Sequence, residues 1–395
     1  MSDLATAPVA DAAVALERLG AVELDGLTDD DLTAHVLRMQ ELRGALEAAE
    51  ARVLGEWDRR KVWRADGAKA GAAWLASRQR LPMGEARRRL RHARAVRRFQ
   101  AVAEAWAAGA IDRCHLTTLM GACTARTEGA FADEHLVLLD SARTRGFADF
   151  KRHCDIWALY RDPDGAEQGA ADDEEGRELH LSQSFGGMWF GRITLDPVRG
   201  TVVDETLRLI DRELFDADWA SARSRLGRDP LVTELDRTPA QRRADALVEM
   251  ATRARTAPEG GRRPAPLFTV VVGLETLCGP LLELFNRTVI TPGTAAKWLT
   301  GADVERIVFE SPSRVVDVGA KRRFFRGALR RAIEVRDRTC FHWTCDEPPD
   351  RAEIDHIVEA HRGGPTTQDN GRLGCAVHNR WRTTHPDRAP DPPGG

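Results

Sequence analysis

The sequence contains no apolar run approaching the roughly 20 residues that a membrane helix needs, although 42% of its 395 residues are hydrophobic. No membrane is therefore expected among its partners. The opening stretch, "MSDLATAPVADAAVALERLG", has no basic segment ahead of an apolar core, so no secretory signal is visible. The expected compartment is the cytoplasm. A disulfide framework is also missing: the seven cysteines are an odd number, and Cys114, Cys123, Cys154 and Cys278 are scattered. No fixed-period repeat is present. The net charge of −3 shows no basic excess, which taken alone argues against a nucleic-acid partner.

The charge is unevenly placed, however. From Lys321 to Arg338 eight basic residues face only Glu334 and Asp337, a local net of +6. From Gly84 to Arg98 seven arginines face only Glu85, again +6. A polyanion responds to such patches rather than to the global sum. Arginines 87, 91, 94 and 98 fall on one helical face, which suits either a phosphate track or pairing with acids elsewhere.

A chain of this length buries ample core and is expected to divide into two or three domains. Residues 1–26 read as a flexible N-terminus. Residues 27–160 read as successive helices with apolar residues at 3–4 spacing, Thr28 as an N-cap and Pro82 near a helix start. The acidic stretch 161–176 reads as a linker or loop. Residues 177–320 read as mixed α/β: a hairpin about Gly186-Gly187, helices over Thr201–Leu214 and Pro239–Thr256, and a buried strand "LFTVVVGL". Short strands are expected at Ile307–Glu310 and Val315–Val318. Residues 321–386 begin with the basic helix "KRRFFRGALRRAIEVRD", and 387–395 read as a disordered tail.

The cysteines and histidines that are not scattered crowd into that last domain. Cys340 and Cys345 form C-x4-C, Cys375 and His378 form C-x2-H, and 29 residues separate the two pairs. A closed set of sulfur and nitrogen donors is what structural zinc prefers. A segment of about 50 residues has little core of its own, so a bound metal would supply folding free energy. His342 is a possible substitute ligand, but the C-x4-C pair is better spaced.

Between the half-sites lies "AEIDHIVEAHRGGPTTQDN". The combined pattern, C-x4-C, then Asp355-His356-Ile357, Gly363-Gly364, Asn370, and finally C-x2-H followed by Asn379, resembles the HNH endonuclease family over about Arg336–His385. That resemblance implies a ββα-metal fold that hydrolyses phosphodiester bonds. It implies His356 as general base, Asp355 and Asn379 as oxygen ligands of a catalytic Mg²⁺ or Mn²⁺, and Asn370 as a brace that holds His356 in position. The third motif position carries Asn379 where many members have His, and Gly371 stands where Leu is frequent.

The wider arrangement is similar to an actinobacterial family that joins a DUF222, or 13E12-repeat, domain to a C-terminal HNH nuclease. The features that carry this are the long helical N-terminal part, "TPAQRRADALVEMA", a "VVDVG" strand, and "ALRRAIEVRD" ahead of the tail. The expectation is therefore an α+β protein: a mainly helical N-terminal domain with some β-hairpin structure and a small zinc-stapled ββα-metal HNH domain. Its expected activity is that of a metal-dependent DNA endonuclease acting on double-stranded DNA. Lys321, Arg322, Arg323, Arg326 and Arg330 are the expected phosphate contacts. The alternative is a zinc-stabilised nucleic-acid-binding protein that does not cut.

Overall fold

The structure is a computed structural model. It describes residues 3–256, 270–271, 282–284, 286–299, 309–311, 314–315, 325–359 and 362–385. The chain separates into two compact units, residues 1–154 and 155–395. It is mostly helical, with small antiparallel strand pairs. Among the described residues no helix is long and apolar enough to cross a membrane.

The first unit runs through α1 (Asp3–Gly20), α2 (Asp29–Arg59), α3 (Gly71–Arg78), α4 (Met83–Arg98), α5 (Gln100–Ala107), α6 (Arg113–Ala122) and α7 (Glu128–Thr144), and into α8 (Phe147–Arg161). Thr28 caps α2 in a capping box with Asp31, as its sequence position suggests. Residues 3–20, read as flexible, form a helix because their alanine-rich stretch has good helix propensity. The core gathers Val102, Leu116, Leu119, Phe131, Leu138, Leu139 and Phe150. α2 and α4 approach closely at Gly55, where a Cβ would come within 2.7 Å of Ala93 O.

The arginine face of α4 divides. Arg94 pairs with Asp58 at 2.9 Å, and Arg98 pairs with Glu128. Two of the four aligned arginines therefore hold helices together, which is the acid-pairing alternative rather than the phosphate track.

The second unit contains α9 (Pro163–Glu175), β1 (Glu178–Gln183), β2 (Trp189–Thr194), α10 (Pro197–Leu226), α11 (Pro239–Thr256), β3 (Val270–Val271), β4 (Leu282–Leu284), β5 (Val289–Ile290) and α12 (Pro292–Leu299). It continues with β6 (Phe309–Ser311), β7 (Arg314–Val315), α13 (Ala328–Asp337), β8 (Ala352–His356), β9 (Gly371–Cys375) and α14 (Ala376–Thr384). The hairpin about Gly186-Gly187 forms as expected, pairing β1 with β2, and Gly187 takes φ +81°.

The acidic segment 161–176 is not a linker. Asp162 caps α9, Pro163 starts it, and the acids have partners. Glu167 accepts hydrogen bonds from Thr291 Oγ1 and Gly293 N at 2.8 Å each, and Glu174 pairs with Lys297 at 2.6 Å. The Glu167 carboxylate at the start of α12 answers its unpaired N–H groups and its dipole. Beside it, Val198, Leu284, Ile290 and Ala295 form a small core.

The expected strand "LFTVVVGL" is described only at Val270–Val271, and the strands at 307–310 and 315–318 only in part. Lys321, Arg322, Arg323 and the tail 387–395 lie outside the described residues.

Candidate metal centre and the surrounding catalytic-type residues

α13 is the platform on which the C-terminal segment folds. Its Ile333 packs with Phe325, Ala352 and Leu373 in a compact core. Its polar residues then fix the hairpin. Arg336 donates to Gln368 O and Gly371 O at 2.6 Å each, while Asp337 accepts from Leu373 N at 2.9 Å. Arg330 pairs with Glu334 at 2.7 Å and donates to Ala352 O at 3.2 Å and Pro349 O at 3.4 Å. The guanidinium expected to meet DNA is thus engaged within the domain. Arg326 is exposed just ahead of α13.

β8 and β9 pair antiparallel, Ala352 opposite Cys375 and Asp355 opposite Arg372, and α14 follows directly. This hairpin and helix carry the second half of the cysteine–histidine set. Cys375 is the N-cap of α14 and His378 its third residue, so the two side chains face the same end of the helix. The first half sits on a turn in which Cys345 N donates to His342 O at 2.9 Å. Cys340, Cys345, Cys375 and His378 bring one donor atom each to within 4.8 Å of one another. Cys375 Sγ is 3.2 Å and Cys340 Sγ 3.5 Å from His378 Nδ1, and Cys345 and Cys375 sulfurs are 3.9 Å apart.

That group can hold a metal ion, and its donor set fits structural zinc. Burial, and then the neighbouring thiols, push Cys345 up to about 12, and burial also raises Cys340. Cys340 and Cys345 therefore give up their protons readily only to a cation. His342 stacks on His378 with ring centroids 4.0 Å apart, and burial and His378 lower its pKa. It supports the ligand ring rather than joining the four-atom set.

Asn370 is buried and locks the loop that follows β8. Its Oδ1 accepts from Val358 N at 2.7 Å, and its Nδ2 donates to Val358 O at 3.0 Å and Pro365 O at 2.7 Å. The turn needs glycine: Gly363 has φ +85°, and a Cβ on Gly364 would lie 1.7 Å from Val358 O. His356 ends β8 with its ring 4.6 Å from that of Phe325 and Nε2 3.0 Å from Thr366 Oγ1.

Asp355, one residue earlier, projects to the other side of the strand. There Arg382 Nη1 forms an ion pair with its Oδ2 and donates to His356 O at 2.7 Å, while Arg382 Nη2 donates to Ile357 O at 2.5 Å. Arg372 Nε stands 3.7 Å from the same carboxylate oxygen. Burial, and then Arg382, hold the Arg372 guanidinium below its ordinary pKa. Asn379 lies against β9, its Nδ2 3.4 Å from Gly374 O. Asp355 and Asn379 offer the hard oxygen donors that Mg²⁺ or Mn²⁺ prefers, but Arg382 and Arg372 both face Asp355 Oδ2 and set positive charge against a cation in this conformation.

Sequence spacing thus brought the four sulfur and nitrogen donors into view, and the family resemblance singled out Asn370. It missed Arg382, Arg372 and Thr366, which no spacing rule marks, because their role comes from strand pairing and from the return of α14 across β8.

The fold and site together define a mainly helical α+β protein that ends in a strand–strand–helix unit with a Cys₃His metal-type cluster. The family model described as "Domain of unknown function (DUF222)" matches residues 33–337, well over half of the chain, and the protein belongs to that family. Searches of curated proteins and of solved structures returned no match. The matched region ends at the close of α13, so the cluster and the residues around Asp355 lie beyond it.

Proposed function

We propose that this DUF222 protein is a metal-dependent DNA endonuclease of the HNH type, with zinc as a structural staple in the Cys₃His group. The observation that carries the reading is one of assembly. Asp355 and His356 end β8, Asn370 ties down the loop after them, and Asn379 follows the ligand-type His378 on α14. A surface loop has no need of that combination.

In this reading His356 takes the proton from the attacking water. His356 Nε2 lies 3.0 Å from Thr366 Oγ1; the tautomer that donates Nε2–H to that hydroxyl would fix the ring and leave Nδ1 as the proton acceptor. Asn370 keeps the backbone beyond His356 in place, and so acts through position rather than by touching substrate. A divalent cation on Asp355 and Asn379 would supply a Lewis acid at the scissile phosphate. Lys321, Arg322, Arg323 and Arg326 would neutralise neighbouring phosphates without reading sequence.

A second reading, a zinc-stabilised nucleic-acid-binding protein that does not cut, is favoured by one observation. Arg382 occupies the carboxylate that a catalytic cation would need. Conversion of supercoiled plasmid to nicked or linear forms in Mg²⁺ or Mn²⁺ separates the two. Cutting that disappears in Asp355→Asn supports the nuclease, and duplex binding without cutting supports the binder.

A further inference from the structure

The surroundings of Asp355 are arranged for an anion rather than a cation. Pairing in the β8–β9 ladder sets Arg372 directly opposite Asp355. The Arg372 guanidinium carbon lies 3.7 Å from the centre of the Phe341 ring, and its side chain is largely buried, so that charge is fixed. Arg382 is different. It comes from the last turn of α14 and reaches Asp355 and two loop-proximal carbonyls, those of His356 and Ile357. One carboxylate thus faces two guanidiniums.

A divalent cation approaching Asp355 meets a local excess of positive charge. A phosphodiester meets one forked donor that can turn towards it, Arg382, of the geometry that binds phosphate best, with the fixed charge of Arg372 behind it. All three groups that hold Arg382 are oxygens, and a phosphate can replace them. Arg372, pinned on Phe341, has no such freedom.

We infer that Arg382 is a latch: without DNA it closes Asp355 to divalent cations, and a backbone phosphate draws it away and opens the carboxylate. This rests on the nuclease reading for the role of Asp355, and it adds an order of events and a device that keeps the metal site shut until substrate arrives. Cation and duplex then bind cooperatively, each strengthening the other by the same factor.

The test uses the full-length, zinc-loaded chain without DNA, with free Mn²⁺ read from its EPR signal. Arg382→Gln should bind Mn²⁺ roughly tenfold or more tightly than the wild type, a coupling of ordinary size, and the Arg382→Gln/Asp355→Asn double variant should lose the gain. With no Mg²⁺ or Mn²⁺ added, zinc-loaded Asp355→Asn should hold a short duplex more tightly than the wild type, because its Arg382 is released for phosphate. Zinc content reports whether each variant is folded. If Arg382→Gln loses zinc, Arg382→Lys takes its place, since it keeps the charge without the fork and should give an intermediate Mn²⁺ affinity. Equal Mn²⁺ affinities for wild type and variant overturn the latch, even where the wild type still nicks plasmid. Absence of Asp355-dependent Mn²⁺ binding together with absence of nicking overturns both the latch and the nuclease.

Discussion

Asn370 and Val358 are joined by a pair of hydrogen bonds that closes the loop after β8: Asn370 accepts from Val358 N at 2.7 Å and donates to Val358 O at 3.0 Å. One amide side chain therefore sets where the backbone goes after His356. Asn370→Ala strips three hydrogen bonds from a buried position and should destabilise the C-terminal segment by about 1–3 kcal/mol. Asn370→Asp should cost at least as much, because its second oxygen would face the carbonyls of Val358 and Pro365. Hydrogen exchange over residues 352–375 reads this directly. Protection unchanged in Asn370→Ala would mean that the loop is held by other contacts.

The Cys₃His cluster leads to a prediction about metal. Cys340→Ser removes one of the four donors that lie within 4.8 Å. The variant should lose bound zinc and lose exchange protection across β8, β9 and α14, since a segment this small gains folding free energy from its metal. Elemental analysis of purified wild type and variant checks it. Equal zinc contents would remove Cys340 from the ligand set.

The arginines around α13 should divide by role. Arg330 is engaged by Glu334, Pro349 and Ala352, so Arg330→Ala should weaken the fold without changing how DNA affinity depends on salt. Neutralising Lys321, Arg322 and Arg323 together should do the reverse. The slope of log affinity against log salt should fall by up to about 3, near 0.9 per lost phosphate contact. The reverse pattern, a salt effect from Arg330 alone, would assign the phosphate contacts to α13 itself.

His92 gives the first unit a pH dependence. It is buried on α4 against Thr117 Oγ1 at 3.1 Å. Burial first, then Arg88, Arg91 and Arg113, lower its pKa from 6.5 to about 4. The folded state thus disfavours the protonated ring. Its contribution is present above pH 6.5 and is lost as pH falls from there towards 4, an effect on the order of 3 kcal/mol. Thermal melting at pH 7 and pH 5 should show the loss, and His92→Gln should show less of it. Equal pH sensitivity in the two would place the titrating group elsewhere.

How much of this was legible in the sequence follows from which forces act locally. Thr28 as a cap, Pro239–Thr256 as a helix, and the hairpin at Gly186-Gly187 depend on neighbours in sequence, and each formed as read. The Cys₃His set was legible because metal-ligand spacing is itself a local pattern. The segment 161–176 was misread because its acids look solvated until Thr291, Gly293 and Lys297 stand beside them. Arg330 read as a surface charge for the same reason. Arg382 was invisible, since its partner lies 27 residues earlier and meets it only once β8, β9 and α14 have packed.

The nuclease reading is tested most directly by purified, zinc-loaded protein and supercoiled plasmid in Mg²⁺ or Mn²⁺, beside His356→Ala, with duplex binding measured on the same samples. The account predicts that the wild type nicks or linearises the plasmid, while His356→Ala binds duplex equally well and does not cut. Cutting at the wild-type rate by His356→Ala, or binding without cutting by both proteins, would contradict it.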